Sequence, residues 1–106
     1  MIVLLLSLGA SFDHFPIASF VGGSDNPGLT EFLIENGLNL NIIDKETGRN
    51  SLHFAAMYGY ENTSRMLLKK KININHRDNW GNTPLDLAKK NNHYNVYSII
   101  KQHNIF

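Results

Sequence analysis

The sequence predicts an all-α solenoid, with helix-turn-helix units stacked side by side and linked by β-hairpin or loop fingers. Three observations carry this. Gly48-Arg-Asn-Ser-Leu-His-Phe-Ala55 lies over Gly81-Asn-Thr-Pro-Leu-Asp-Leu-Ala88 at a spacing of 33, and residues 33–41 lie over 67–75 at a spacing of 34. A period near 33 marks small supersecondary units that bury their apolar faces only by stacking. Within a unit, apolar residues recur at helical spacing, as at Val96, Ile99 and Ile100. Between units, residues 38–49 and 72–82 are polar and rich in Asn, Asp and Gly, which suits an extended loop or a β-hairpin.

Composition sets the bounds. The 106 residues are 42% apolar and 18% charged, which fits one small globular domain spanning 1–106. The absence of cysteine excludes a disulfide scaffold, a thiol nucleophile and a thiolate zinc site. No apolar run approaches the roughly 18 residues that span a bilayer. A net charge of +1 gives no reason to expect a polyanion. The charge is unevenly spread, however. Residues 1–43 hold Asp13, Asp25, Glu31 and Glu35 with no Lys or Arg, and all ten basic residues follow. Such a dipolar chain can steer a partner or stack head to tail on a copy of itself.

The first segment, residues 1–13, has an apolar stretch that invites reading as a secretory leader. It lacks a basic start, and its unbroken apolar run ends at Leu6, short of a leader's core. The form V-x-L-x-x-L-G-A fits better as a helix from Ile2 to Leu8 stopped by Gly9, the tail of a partial unit. With no leader and no span, an intracellular location, cytoplasmic or nuclear, is expected. No preceding helix is expected to cover this one, so its apolar face is expected to pack on the next unit, to pack on another chain by self-association through Ile2–Leu8, or to remain an exposed patch.

Residues 14–43 read as a degenerate unit. Pro16-Ile-Ala-Ser is the remnant of a first helix, Gly22-Gly-Ser-Asp-Asn-Pro-Gly28 is a breaker-rich turn, and residues 29–41 are a second helix and exit loop. Residues 44–77 form a well-marked unit, with helices over 52–58 and 63–70 and Gly59 at their turn. Residues 78–106 form the last. Thr83 caps a helix, Pro84 takes its first position, and Asp86 stands where a capping-box acid reaches back. Leu85 and Ala88 face the core. The helix runs out near Asn91 and Asn92, and Lys89, Lys90, Lys101 and Gln102 give this unit the polar outer face of a capping repeat.

At these residues the chain resembles the ankyrin repeat family, whose unit is a β-turn plus two helices around T-P-L-H-x-A. The middle unit offers Ser51-Leu-His-Phe-Ala-Ala-Met-Tyr-Gly59, and the last offers Asp78-Asn-Trp-Gly-Asn-Thr-Pro-Leu-Asp-Leu-Ala88. The resemblance is strong over 29–106 and weak over 1–28. Departures from the family pattern are expected to weaken local order: Asn50 for Thr, Asp86 for His, and Lys71 and Asn104 for the glycine that ends the second helix.

Motifs of catalysis are lacking. There is no G-x-S-x-G, phosphate-binding glycine loop or H-E-x-x-H, and the five histidines show no ligand spacing. No enzyme activity, cofactor, metal or small-molecule substrate is expected. The resemblance gives His53 a structural role, bonding the preceding turn. Lys69-Lys70-Lys71 suggests nucleic acid or acidic lipid, but a cationic helix end interacting with its backbone dipole accounts for it better, so neither nucleic acid nor membrane is expected as a partner.

The resemblance implies that protein partners bind the finger tips and the concave face of the first helices. Those positions are Lys45, Glu46, Thr47, Arg49, Met57 and Tyr58 in the middle unit, and Asn79, Trp80, Asn82, Lys90 and Asn91 in the last. Trp80, Tyr58 and Arg49 have the composition of an interface hot spot. Trp80 has a second reading, packing against the neighbouring finger. Two functional readings follow. One is a non-catalytic adaptor, scaffold or competitor. The other is a terminal appendage for oligomerisation or targeting in a larger protein, of the asparaginase/lysophospholipase, glutaminase or channel type, whose closing repeats the 78–88 segment resembles.

Overall fold

A computed structural model describes residues 17–23 and 25–105. Among the described residues six helices follow one another: α1 (Ile17–Gly22), α2 (Pro27–Glu35), α3 (Ser51–Tyr58), α4 (Glu61–Lys69), α5 (Pro84–Lys90) and α6 (Tyr94–Ile105). They form two rows. The first helices α1, α3 and α5 pack in sequence, and so do the second helices α2, α4 and α6. The expected helix over residues 2–8, its self-association and the reading of the chain start lie outside the described residues.

Helices α2, α3 and α5 begin where local chemistry supplies a side-chain cap. Asn26 Oδ1 accepts the Leu29 N–H at 3.1 Å with Pro27 in the first turn of α2. The second helix of this unit therefore starts at Pro27 rather than Leu29. The breaker-rich turn is also shorter than expected, because α1 runs through Gly22. A side chain at Gly22 would overlap the Ser51 carbonyl and the Phe54 Cβ, so the glycine allows α1 to approach α3 closely. At α5, Thr83 Oγ1 accepts the Asp86 N–H at 3.3 Å and Asp86 Oδ2 accepts the Thr83 N–H at 3.0 Å, the expected capping box.

Asn50 corrects an expectation. It does not weaken α3: its Oδ1 accepts the His53 N–H at 3.0 Å, and its Nδ2 donates to the Asn73 carbonyl at 2.9 Å. The amide thus caps the helix and also ties it to the exit loop, through a donor that a threonine methyl lacks. Lys71 behaves as expected of a residue in a glycine's place. It is forced to a left-handed φ of 66° so that the Ile72 N–H can reach the Leu67 carbonyl at 3.1 Å. The equivalent bond in the first unit, Leu38 N–H to Leu33 carbonyl at 3.0 Å, turns on Gly37. Asn104 is not among the residues whose side chains are described.

The core is one continuous cluster through the stack. Val21, Leu33, Leu52, Leu67, Val96 and Ile100 are buried, and Ala55, Ala56 and Ala88 let the helices approach. Leu85 packs against it, half-buried. The fingers resolve the choice left by the sequence. Among the described residues they contain no strand and are hydrogen-bonded turns: Asp44 N–H to Arg49 carbonyl at 2.8 Å, and Asp78 N–H to Asn82 carbonyl at 2.9 Å. No described helix is long and apolar enough to cross a membrane.

Candidate partner-binding surface

Each finger is built around an aspartate. Asp44 Oδ2 accepts the Thr47 N–H at 3.1 Å and its hydroxyl at 2.6 Å, which closes the first turn and uses Thr47 internally. In the second finger Asp78 Oδ1 accepts the N–H groups of Trp80 and Asn82 at 3.0 and 2.9 Å. Its other oxygen takes the Arg49 Nε at 3.1 Å from the first finger, and its side chain is fully buried. Burial alone would raise the Asp78 carboxyl; the Asn82 N–H, the Arg49 guanidinium and the Trp80 N–H outweigh it and hold the pKa below the usual carboxylate value.

Arg49 is the hub. Besides Asp78 it places Nη1 3.5 Å from the Met57 Sδ, and its guanidinium carbon lies 5.1 Å from the Trp80 ring centroid. Trp80 is nevertheless 64% exposed. The packing reading holds, since the ring rests on the neighbouring finger's arginine, and most of the ring surface is exposed to solvent.

The fingers are bonded edge to edge as well. The Asn79 N–H reaches the Thr47 carbonyl at 2.9 Å, and its Nδ2 reaches the Glu46 carbonyl at 3.0 Å. Asn79 is thus exposed but committed to the stack. Beneath the fingers, the buried His53 accepts the Asn50 N–H on Nδ1 at 3.2 Å and donates from Nε2 to the Asn82 carbonyl at 2.8 Å. It bonds the preceding turn as expected, and it also bridges to the next unit. Desolvation lowers its pKa below the ordinary value, only partly offset by the Asn82 carbonyl and Asp78, so the ring is held neutral.

The remaining positions divide. Lys45 and Glu46 are exposed at the first tip. Lys90 Nζ donates to Asn82 Oδ1 at 3.0 Å, which joins those two residues on the α5 side. Asn91 turns its Nδ2 back to the Leu87 carbonyl at 2.9 Å and closes α5. Tyr58, 48% exposed, does not join the Arg49 cluster; its ring lies 5.6 Å from that of Tyr60 and its edge approaches Gly23. Two contributors escaped the sequence reading. Asp78 carried a signal, recurring 34 residues after Asp44 at the start of the same turn. His76 carried none; its Nε2 donates to the Gly48 carbonyl at 2.8 Å, and its ring meets His53 edge-on at 5.9 Å.

Residues 17–106 match the family model for ankyrin repeats, in three copies. The chain belongs to the ankyrin repeat family. It is 33% identical over 99 residues to an ankyrin repeat protein of Acanthamoeba polyphaga mimivirus, covering 91% of this chain and 14% of that protein. It is 38% identical over 63 residues to the mouse (Mus musculus) inhibitor of Bruton tyrosine kinase, covering 59% of this chain and 5% of the relative. A Caenorhabditis elegans protein named as a glutaminase is 32% identical over 88 residues, covering 82% and 14%. The chain therefore spans between 5% and 14% of the length of these relatives. Ankyrin repeats are a general protein–protein interaction module, and the family is generally non-catalytic. At the finger edge of this ankyrin stack, exposed Trp80 rests on Arg49, which pairs with the buried Asp78.

Proposed function

We propose that the chain is a non-catalytic protein-interaction module, an adaptor, scaffold or competitor, that takes its protein partner on the finger tips and the concave face of the first helices. The observation that carries this is Trp80, 64% exposed yet held in place by Arg49, which is itself fixed by the buried Asp78. A large aromatic surface whose orientation is set before binding loses little entropy on association. Lys45 and Glu46 are exposed on the neighbouring finger, to which Asn79 is bonded, and Met57 contacts the arginine. Tyr58, exposed beside Tyr60, and the Asn82–Lys90 pair complete the proposed set of contact residues.

The test compares the immobilised wild-type chain with Trp80→Ala as bait, reading retained proteins by quantitative mass spectrometry. Loss of a specific retained set with Trp80→Ala, at unchanged helicity, supports the assignment; equal retention by both baits overturns it. Arg49→Ala is the poorer bait because it also strands the buried Asp78.

A second reading makes the stack a terminal appendage for oligomerisation or targeting within a larger protein. The small share of each relative that the chain spans favours it. Mass spectrometry of the endogenous protein separates the two: peptides outside this sequence on the same polypeptide support the appendage, and an intact mass of 12.0 kDa supports the free-standing adaptor.

A further inference from the structure

On the row of second helices, away from the fingers, α4 and α6 flank a cleft of about 390 Å³ lined by Arg65, Leu68, Lys69, Ile99, Gln102 and His103. The repeat supplies its own control for this cleft. Leu33 and Leu67 are equivalent buried residues, as are Leu67 and Ile100, so Arg65 and Lys69 stand where Glu31 and Glu35 stand one unit earlier, and His103 stands where Lys70 does. Between α2 and α4 the equivalent positions carry opposite charge, and Lys70 Nζ meets Glu31 Oε1 at 3.8 Å. Between α4 and α6 the lining holds no acid among the described residues: Arg65 and Lys69 on α4 meet Gln102 and His103 on α6 over an apolar floor of Leu68 and Ile99. Arg65 has an acidic neighbour in Glu61 at 3.1 Å on its own helix, whereas Lys69 forms no ion pair among the described residues.

The complement of such a cleft is an apolar side chain flanked by carboxylates. The chain carries that element itself. On α2, Phe32 is 38% exposed between Glu31 and Glu35, in a stretch from 17 to 43 that contains no basic residue. Because the outer row runs α2, α4, α6, a two-fold axis crossing α4 sets the α2 of each copy against the α4–α6 cleft of the other. We propose that the α4–α6 cleft is a self-association site that receives the Glu31–Phe32–Glu35 ridge of a second copy, with Glu35 facing Lys69. This lies beyond the finger surface and leaves it free for a partner.

Sedimentation velocity across a dilution series at low and high salt tests the proposal. The wild-type chain is expected to form dimers that dissociate on dilution and on adding salt. Lys69→Glu is expected to weaken dimerisation about tenfold, since each dimer loses two exposed ion pairs. Phe32→Ala does the same through the lost anchor. Glu35→Lys combined with Lys69→Glu restores it. All three sites are exposed, so helicity by circular dichroism stays at the wild-type value in each variant. A chain that stays monomeric at every concentration overturns the proposal and leaves the cleft to an acidic segment of another protein. Association untouched by Lys69→Glu and Phe32→Ala, or insensitive to salt, places the contact elsewhere, as on residues 2–8, and also overturns it.

Discussion

Asp78→Ala tests how the two fingers are held together. The carboxylate is fully buried and accepts the Arg49 Nε at 3.1 Å and the N–H groups of Trp80 and Asn82 at 3.0 and 2.9 Å. Hydrogen bonds to a charged group contribute about 1.5–3 kcal/mol each. The full sum is not expected, because the Arg49 side chain is 18% exposed and regains some water, and the two N–H groups lie on a surface finger. The loss is therefore about 3 kcal/mol, the low end for breaking a buried pair. That lowers the thermal midpoint by roughly 12 °C or more in a chain of this size. Urea denaturation followed by circular dichroism measures the stability. Fluorescence reports the site alone, since Trp80 is the single tryptophan. With Asp78 gone, Arg49 leaves the ring and the emission shifts. A double-mutant cycle with Arg49→Ala should return a coupling of at least about 1 kcal/mol. Stability falling by less than about 1 kcal/mol, with emission unchanged, would refute the network. The pH dependence has a definite sign. Because the Asp78 pKa is lowered in the fold, its contribution is full above the ordinary carboxylate value and is lost as pH falls through the lowered one. Asp78→Ala is accordingly less sensitive to acid over that range than the wild type.

Three further outcomes are expected. His53 has a folded pKa below its ordinary 6.5, so acidification below that value lets the unfolded chain take up a proton the folded chain refuses. Stability falls there by at most about 1.4 kcal/mol per pH unit from this residue, and His53→Gln removes that slope in urea titrations at stepped pH. Lys71→Gly relieves the left-handed backbone at φ 66° and raises stability by about 0.5–1 kcal/mol, read as a higher urea midpoint at constant slope. Gly22→Ala drives a methyl group into the Ser51 carbonyl and the Phe54 side chain, separating α1 from α3. It costs about 1–3 kcal/mol and shows as faster amide exchange over residues 17–22 than over α5.

The parts of this fold legible in the sequence are those whose cause lies within four residues. Thr83, Pro84 and Asp86 form a cap by spacing alone, and Gly59 ends α3 at a φ of 75° because the next turn needs it there. The parts that were not legible are set across the stack. α4 has no side-chain cap of its own at Tyr60; Asp25 supplies one from the preceding unit, accepting the Thr63 N–H at 3.1 Å from 38 residues away. No local pattern around Tyr60 announces it. The finger surface divides in the same way. That Trp80 and Arg49 would matter follows from residue type, but that they meet, and that Tyr58 does not join them, depends on how neighbouring units are placed.

Apart from Asn50 to the Asn73 carbonyl, 23 residues apart, and the bonds of Asn62 and Thr63 to Asp25, 37 and 38 apart, the side-chain bonds across the stack fall in a narrow band. Arg49 to Asp78 and His53 to the Asn82 carbonyl are each 29 residues apart, His76 to the Gly48 carbonyl 28, Asn73 N–H to Asn41 32, and Asn79 to the Glu46 carbonyl 33. In a stack of period near 33 each residue faces the one almost a full unit further on, so long-range contact becomes a nearly constant offset. The offset turns pairing into a question of chemistry. A basic residue opposite an acid, as Arg49 is to Asp78, closes the stack on itself. A basic residue where the unit before has an acid, as Lys69 stands in the place of Glu35, forms no ion pair among the described residues and leaves a charge that the fold does not neutralise. Positions of that second kind are where this chain has electrostatic attraction left to offer another molecule.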